Sequence, residues 1–196
     1  MAERRITLTP VGNDVSVGES GIGTGSGVRP RPADTRWTRR IVVEATVGHP
    51  VPSVFPYLAD PLRWHDFAPA VAFRRQIDPG PAQVGTRWMS TDRIGPFRIH
   101  FVDTLEELEP HRRVVWASSA PWNARVEYVC DDGGARTHVR ATYEGDLGDS
   151  LRWQVGWMPI WGWRGILSQD FRRLDRLLTR HAREDGRWRA RHAPLA

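Results

Sequence analysis

The side chains able to carry acid–base or ligand chemistry are few and widely spaced. Tyr128 and Tyr143 fall at inward positions of strand-like alternations. Each brings a hydroxyl to an apolar face, where a buried O–H needs a partner. That partner is a ligand oxygen, Asp103 or a water. His65-Asp66 is the one adjacent His/acid pair; sequence neighbours normally point apart, so a catalytic dyad is not expected there. His100, His111 and His138 fall on polar strand faces or in a turn and read as solvated. Cys130 stands alone, which excludes an intramolecular disulfide and a Cys-rich metal site. No His-x-x-x-His, paired-Cys or clustered-carboxylate spacing suggests a metal. The alternating glycines of 18–27 suggest a phosphate loop, but that motif ends in Gly-Lys-Ser/Thr and the chain has no lysine. The dinucleotide pattern fails too, because Ser26 stands where its third glycine is required. No cofactor is therefore expected.

What the chain does have is aromatic surface. It holds 10 tryptophans, and Trp joins a large apolar body to one N–H donor, which suits cores with polar exits, pockets and interfaces. On the alternating segments, Trp88, Phe101, Trp116, Val126, Tyr128, Val139 and Tyr143 share the apolar faces. Trp157 and Trp161 stand just before and at the start of a helical stretch.

The elements that must position these residues follow a simple order. Ile41-Val42-Val43-Glu44-Ala45 belongs to a first strand, Trp37 to Val47, broken by His49-Pro50. Val51 to Leu58 reads as a short helix despite Pro52 and Pro56, since proline is tolerated in a first turn. Asp60-Pro61 opens a second helical turn carrying Leu62, Trp64 and Phe67. Six strands come next: Val71–Ile77, Val84–Arg93, Phe97–Leu108, Arg113–Ser119, Trp122–Cys130 and Thr137–Glu144. Turn signals such as Asp78-Pro-Gly-Pro81 and Asp131-Asp-Gly-Gly134 divide them. Their period-two pattern marks an antiparallel sheet with one buried face. From Pro159 the period changes. Ile160, Trp163, Leu167, Phe171, Leu174 and Leu178 form the stripe of a long amphipathic helix, which should fade near Asp185-Gly186. A sheet and one helix bury their apolar faces only against each other.

Three stretches carry a family resemblance. Val43-Glu-Ala-Thr-Val-Gly-His-Pro-Val-Pro-Ser-Val-Phe-Pro-Tyr-Leu-Ala-Asp-Pro-Leu-Arg-Trp64 is similar to a strand followed by a proline-led helix and an Asp-Pro-x-x-Trp turn. Val84-Gly-Thr-Arg-Trp88 and Leu105-Glu-Glu-Leu-Glu-Pro-His-Arg-Arg-Val-Val-Trp116 are similar to later strands of the same pattern, and Leu174-Asp-Arg-Leu-Leu178 to its closing helix. Over residues 39–183 the chain resembles the START/Bet v 1-like (SRPBCC) superfamily, within it the bacterial polyketide cyclase/dehydrase and lipid-transport group. The resemblance implies an α+β helix-grip fold: a curved antiparallel sheet wrapped around a long C-terminal helix, with two short helices after the first strand. It also implies a hydrophobic cavity that takes a polyketide, lipid, quinone or similar small molecule. The group shares no catalytic residue set, so none carries over. The ligand-binding residues expected are Trp88, Phe101, Trp116, Tyr128 and Tyr143, with Trp157 and Trp161 at the pocket mouth and Trp163 facing the core. The alternative is a polyketide cyclase or dehydratase with a Tyr or His as acid–base. The segment 153–163 has a rival reading as a patch for a membrane surface or a second copy of the chain, which leaves a homodimer open.

Charge narrows the partners. The net charge is +5, but between Trp37 and Arg180 there are 19 Arg against 17 acids. A nucleic-acid binder concentrates positive charge on its folded part, so none is expected. No run approaches the ~18 apolar residues of a membrane span. The start of the chain lacks the apolar core of a signal peptide, and with one Cys a cytoplasmic location is the expectation. Residues 1–36, rich in Gly, Ser, Pro and Arg, read as a disordered tail, 37–184 as the helix-grip domain, and 185–196 as a frayed, Arg-rich end. Deleting residues 1–36 should leave the Tm within about 2 °C by calorimetry, because tails without buried contacts contribute little stability. A loss of soluble protein on that deletion contradicts this.

Overall fold

The computed structural model describes residues 39–145 and 160–191. The tail 1–36, the end of the chain past Arg191 and the 146–159 connection lie outside the described residues. Seven strands form one antiparallel sheet: β1 (Arg39–Val47), β2 (Val71–Gln76), β3 (Arg87–Ile94), β4 (Phe97–Glu109), β5 (Arg113–Ser118), β6 (Ala124–Asp132) and β7 (Thr137–Gly145). Their order in the sheet is β1-β7-β6-β5-β4-β3-β2. Chain-adjacent strands pair as a meander from β2 to β7, and β1 closes onto β7 with Val43 opposite Ala141. The helix α1 (Val51–Ala59) and a 3-10 turn (Pro61–Asp66) follow β1, and α2 (Ile160–Arg191) ends the fold.

Local chemistry explains these boundaries. Pro52 sits in the first turn of α1, where its missing N–H costs nothing. Asp60 caps the 3-10 turn by accepting from the Leu62 amide at 2.9 Å. At the β6–β7 turn the Asp132 side chain accepts from the Gly134 amide at 2.8 Å, a local turn bond typical of Asp.

The core lies where α1 and the later half of α2 close on the sheet. Val43, Val47, Val54, Leu58, Leu105, Val114, Val139, Ala141 and Leu174 are almost wholly removed from solvent. The stripe expected for α2 is the buried one: Phe171, Leu174 and Leu178 are buried, and Trp163 and Leu167 pack against the core. Four polar ties fix the helix. The Gly48 amide donates to Asp175 Oδ1 at 2.7 Å, and hydrogen bonds join His49 to Thr179 at 3.0 Å and Tyr57 to His181 at 3.3 Å. Nearer its start, Arg164 donates to the Val42 carbonyl at 3.3 Å.

The helix does not fade near Asp185-Gly186; its backbone continues to Arg191. A single glycine costs a helix only about 1 kcal/mol, and the Arg, Trp and Ala that follow accept helical geometry.

Two glycines make opposite demands. Gly145 has φ +149°, and a Cβ there would meet the Asn123 carbonyl oxygen at 2.2 Å and the Ala124 Cα at 2.6 Å. Gly165 lies in α2 with open space around it. Urea unfolding should therefore show Gly145→Ala clearly destabilised, by about 2 kcal/mol or more. Gly165→Ala should be stabilised by about 0.5–1 kcal/mol through helix propensity. Equal effects at the two positions contradict this reading.

Candidate functional site

Beyond the point where α2 meets the core, its first half stands off the sheet and leaves a cavity of about 180 Å³. Trp64 and Phe67 enter it from the 3-10 turn. Val71 and Arg74 come from β2, Asp92 and Ile94 from β3, Phe101 and Asp103 from β4, and Trp116 and Ser118 from β5. Val126 and Tyr128 on β6, Tyr143 on β7 and Trp122 after β5 continue the wall. Trp163, Ile166, Leu167, Asp170 and Phe171 of α2 close it. Nine of these side chains are aromatic, so rings supply a large part of the wall.

The rings brace one another edge to face, the arrangement their quadrupoles favour. Trp116 is the hub, 5.3 Å from Trp64 and 5.1 Å from Trp88 between ring centroids. Its indole donates to the Leu58 carbonyl at 3.2 Å, which ties the cavity wall to α1. Trp122 bridges Phe101, at 6.3 Å, and Trp163, at 5.8 Å.

One part of the wall is strongly polar. Arg74, whose side chain is 4% exposed, donates from Nη2 to Asp92 at 2.8 Å and from Nη1 to the carbonyls of Phe73 and Thr91. Its Nε lies 3.5 Å from Asp103. Asp103 is 2% exposed and accepts from the Ser90 hydroxyl at 2.5 Å and the Ser118 hydroxyl at 2.6 Å. The guanidinium also lies over the rings of Trp64, at 5.4 Å, and Phe101, at 5.3 Å. Burial pushes the Asp92 carboxyl up to about 6 against the lowering pull of Arg74, and Asp103 adds a like charge. Burial raises Asp103 as well, again opposed by Arg74 and the two serines.

A second polar point faces this one. The Tyr128 and Tyr143 hydroxyls bond to each other at 3.1 Å. Burial pushes Tyr128 up to about 12 and Tyr143 well above its ordinary value. Both phenols therefore stay protonated; one donates to the other, which keeps its own O–H for a further acceptor. Asp170 lies close enough to raise both, and Asp103 adds to the effect on Tyr128. Asp170, 13% exposed, accepts from Arg173 at 2.8 Å, and burial lifts its carboxyl to about 6.

The expected site residues divide clearly. Phe101, Trp116, Tyr128 and Tyr143 come together on the cavity wall. Trp88 is buried but sits one ring further back, behind Trp116, and does not line the cavity. Trp157 and the Trp161 side chain lie outside the described residues. Trp163, expected in the core, lines the cavity as well as packing against it. His65 and Asp66 do meet, at 3.0 Å, because the tight 3-10 turn brings neighbours together, but they do so on the surface. No histidine is among the described residues of the wall; His100 and His138 are engaged instead with Thr91 and Thr46 on the strands.

Arg74, Asp92 and Asp170 were not foreseen. Asp92 was within reach, because Trp88, Ser90 and Asp92 alternate on one strand face. Arg74 was not. A bulge between Val71 and Phe73 shifts the register of β2, so that Val71 and Arg74, three residues apart, share the inner face.

Several comparisons bear on this geometry. The family model described as polyketide cyclase/dehydrase and lipid transport matches residues 38–179. No curated protein sequence matches the chain. Among solved structures, the fold is similar to TTHA0849 from Thermus thermophilus, 14% identical with a TM-score of 0.58 over 73% of this chain and 99% of that one. It is also similar to MLL2253 from Mesorhizobium loti, 21% identical with a TM-score of 0.53 over 72% and 98%. A third is ginseng major latex-like protein 151 from Panax ginseng, 11% identical with a TM-score of 0.55 over 70% and 95%. These likenesses are to the fold. No described helix is long and apolar enough to cross a membrane.

Buried acids give the site a pH signature. Asp92 and Asp170 titrate near 6 in the fold and near 3.8 as ordinary carboxyls. The folded state therefore holds more protons between those values, and stability falls as pH rises through that window. Asp170→Asn removes one share of that loss, and the exposed side of Arg173 can turn to water. Urea unfolding should find this variant more stable than wild type near pH 7, with the advantage gone by about pH 4. The same difference at both pH values contradicts the assignment.

Proposed function

The chain belongs to the polyketide cyclase/dehydrase and lipid-transport family, and on that premise we propose that it binds a small hydrophobic molecule in the cavity between sheet and α2. The observation that carries this reading is the wall itself: nine aromatic side chains around about 180 Å³, with polar atoms gathered at two points. Binding sites are mostly apolar with a few placed polar groups. The volume lies below the roughly 300 Å³ lower end usual for drug-sized ligands, which favours a compact molecule of one or two rings over an extended chain.

An apolar fluorophore should gain intensity on binding, and Val126→Phe, which adds volume to the wall, should weaken its binding at least about tenfold without lowering the Tm. No uptake by wild type sinks the reading. Trp157→Ala should weaken binding by roughly 1–3 kcal/mol if that ring lies against the ligand. Unchanged affinity with a lost dimer or lost vesicle binding would make the segment a docking surface instead.

One observation favours a second reading, a cyclase or dehydratase. Asp92 combines a carboxyl near 6 with a place on the cavity wall, and acid–base groups work best near the operating pH. In a dehydration, an α-proton of the bound carbonyl compound would pass to Asp92, the α–β double bond would form as the β-carbon–oxygen bond breaks, and the protonated Asp92 would return that proton to the departing hydroxyl, which leaves as water. Tyr128, held protonated, would donate to the carbonyl oxygen as negative charge develops there. The Tyr acid–base expected from the alternation thus becomes a donor, with the carboxylate as base.

A further inference from the structure

We infer that the molecule held in this cavity carries a positive charge: an aromatic or otherwise apolar amine, with its cationic nitrogen near Asp170 and the Tyr128–Tyr143 pair. This rests on the cavity being the binding site. It departs from the neutral or acidic chains that an apolar pocket alone would suggest.

The first observation is the charge of the wall. Among the described residues, three carboxyl groups line it, those of Asp92, Asp103 and Asp170, against a single guanidinium. That guanidinium is already committed. Arg74 pairs with Asp92, lies beside Asp103 and donates to two backbone carbonyls. A lone buried arginine would be a hook for a ligand carboxylate, but this one is outnumbered by its own partners. An incoming carboxylate would add a further like charge in a low-dielectric space. The only described base paired with Asp170 is Arg173, which does not line the cavity.

The second observation is independent of that count. The cavity already holds one cation by the chemistry proposed for the ligand. The Arg74 guanidinium rests over the faces of Trp64 and Phe101 with a carboxylate beside it, the ring-and-acid combination that attracts cations. A related combination recurs on the same wall, where Asp170 is close enough to act on Tyr128 and Tyr143 and all three line the cavity with Phe171; among the described lining residues no cationic side chain other than Arg74 is present, and Arg173, bonded to Asp170 at 2.8 Å, does not line it. A ligand ammonium there would meet ring faces, a carboxylate and two hydroxyl oxygens.

The test uses three probes on one naphthalene skeleton, bearing an aminomethyl, a hydroxymethyl or a carboxylate group. Each is titrated calorimetrically into the full chain near pH 7.5, where the amine is protonated and the acid ionised. The amine should bind about tenfold more tightly than the alcohol, and the carboxylate should be the weakest, as expected for one desolvated charge contact. Asp170→Asn should bring the amine to the level of the alcohol and leave the alcohol unchanged. A carboxylate that binds as tightly as the amine overturns the inference while leaving the cavity as the site. An amine-to-alcohol ratio unchanged in Asp170→Asn does the same. Failure of all three probes, together with the apolar fluorophore, overturns the cavity reading itself.

Discussion

The architecture depends on the way α2 is held, with three of its four described polar ties falling between Asp175 and His181. Asp175 on the Gly48 amide, Thr179 with His49 and His181 with Tyr57 all lie from the middle of the helix onward. There Leu174 and Leu178 close on the sheet and on α1. The stretch from Trp163 to Phe171 has, among the described residues, one polar tie to the sheet, from Arg164 to the β1 backbone, and runs along the cavity. A straight helix cannot follow a curved surface along its whole length. Between Trp163 and Phe171 helix and sheet leave a gap, and that gap has to be lined by something. Large rings are the side chains that can reach across, which accounts for the concentration of Trp, Tyr and Phe at this end.

The same gap explains why charge is tolerated so deep. Isolated buried charges are expensive, and they persist when paired and hydrogen-bonded. Asp103 has two serine hydroxyls and Arg74; Arg74 has Asp92, two carbonyls and two ring faces. The cluster spans β2, β3, β4 and β5. It ties the outer half of the sheet together by directional bonds in a region where α2 does not press down on it. The polar network thus has a structural role even before any ligand is considered, and it sets the electrostatic character of whatever space remains.

Sequence periodicity revealed most of the fold because both of its periods are clean. The α2 stripe matches what is buried, on β7 Val139 and Ala141 are buried against exposed His138 and Arg140, although Thr142 is buried as well, and the Pro and Gly punctuation falls at the turns. Phe101, Trp116, Tyr128 and Tyr143 were legible for the same reason. Trp88 was legible as inward, but facing inward does not decide between core and cavity; that depends on where α2 lifts off, which no strand pattern contains. Asp103 was legible only as a possible partner of a tyrosine hydroxyl, and Asp92, on the inward set of its strand, was hidden because a charged residue usually marks the wet face. Arg74 was hidden by geometry of another kind, since alternation counted from Val71 assigns it to the outside.

That hidden register shift has an evolutionary consequence. In β2 one extra residue decides whether the strand shows the cavity a guanidinium or a phenyl ring. Without the bulge, Phe73, now 45% exposed, would turn inward and Arg74 outward, and two buried carboxylates would lose their counter-ion together. A one-residue insertion or deletion at this edge strand would therefore exchange a guanidinium for a phenyl ring beside the buried carboxylates in a single event, with no lining codon altered. Edge strands tolerate such indels because only one neighbour must re-pair. Chains of this architecture thus have a short mutational path between ligands of different polarity, and it runs through the length of a strand rather than through its side chains.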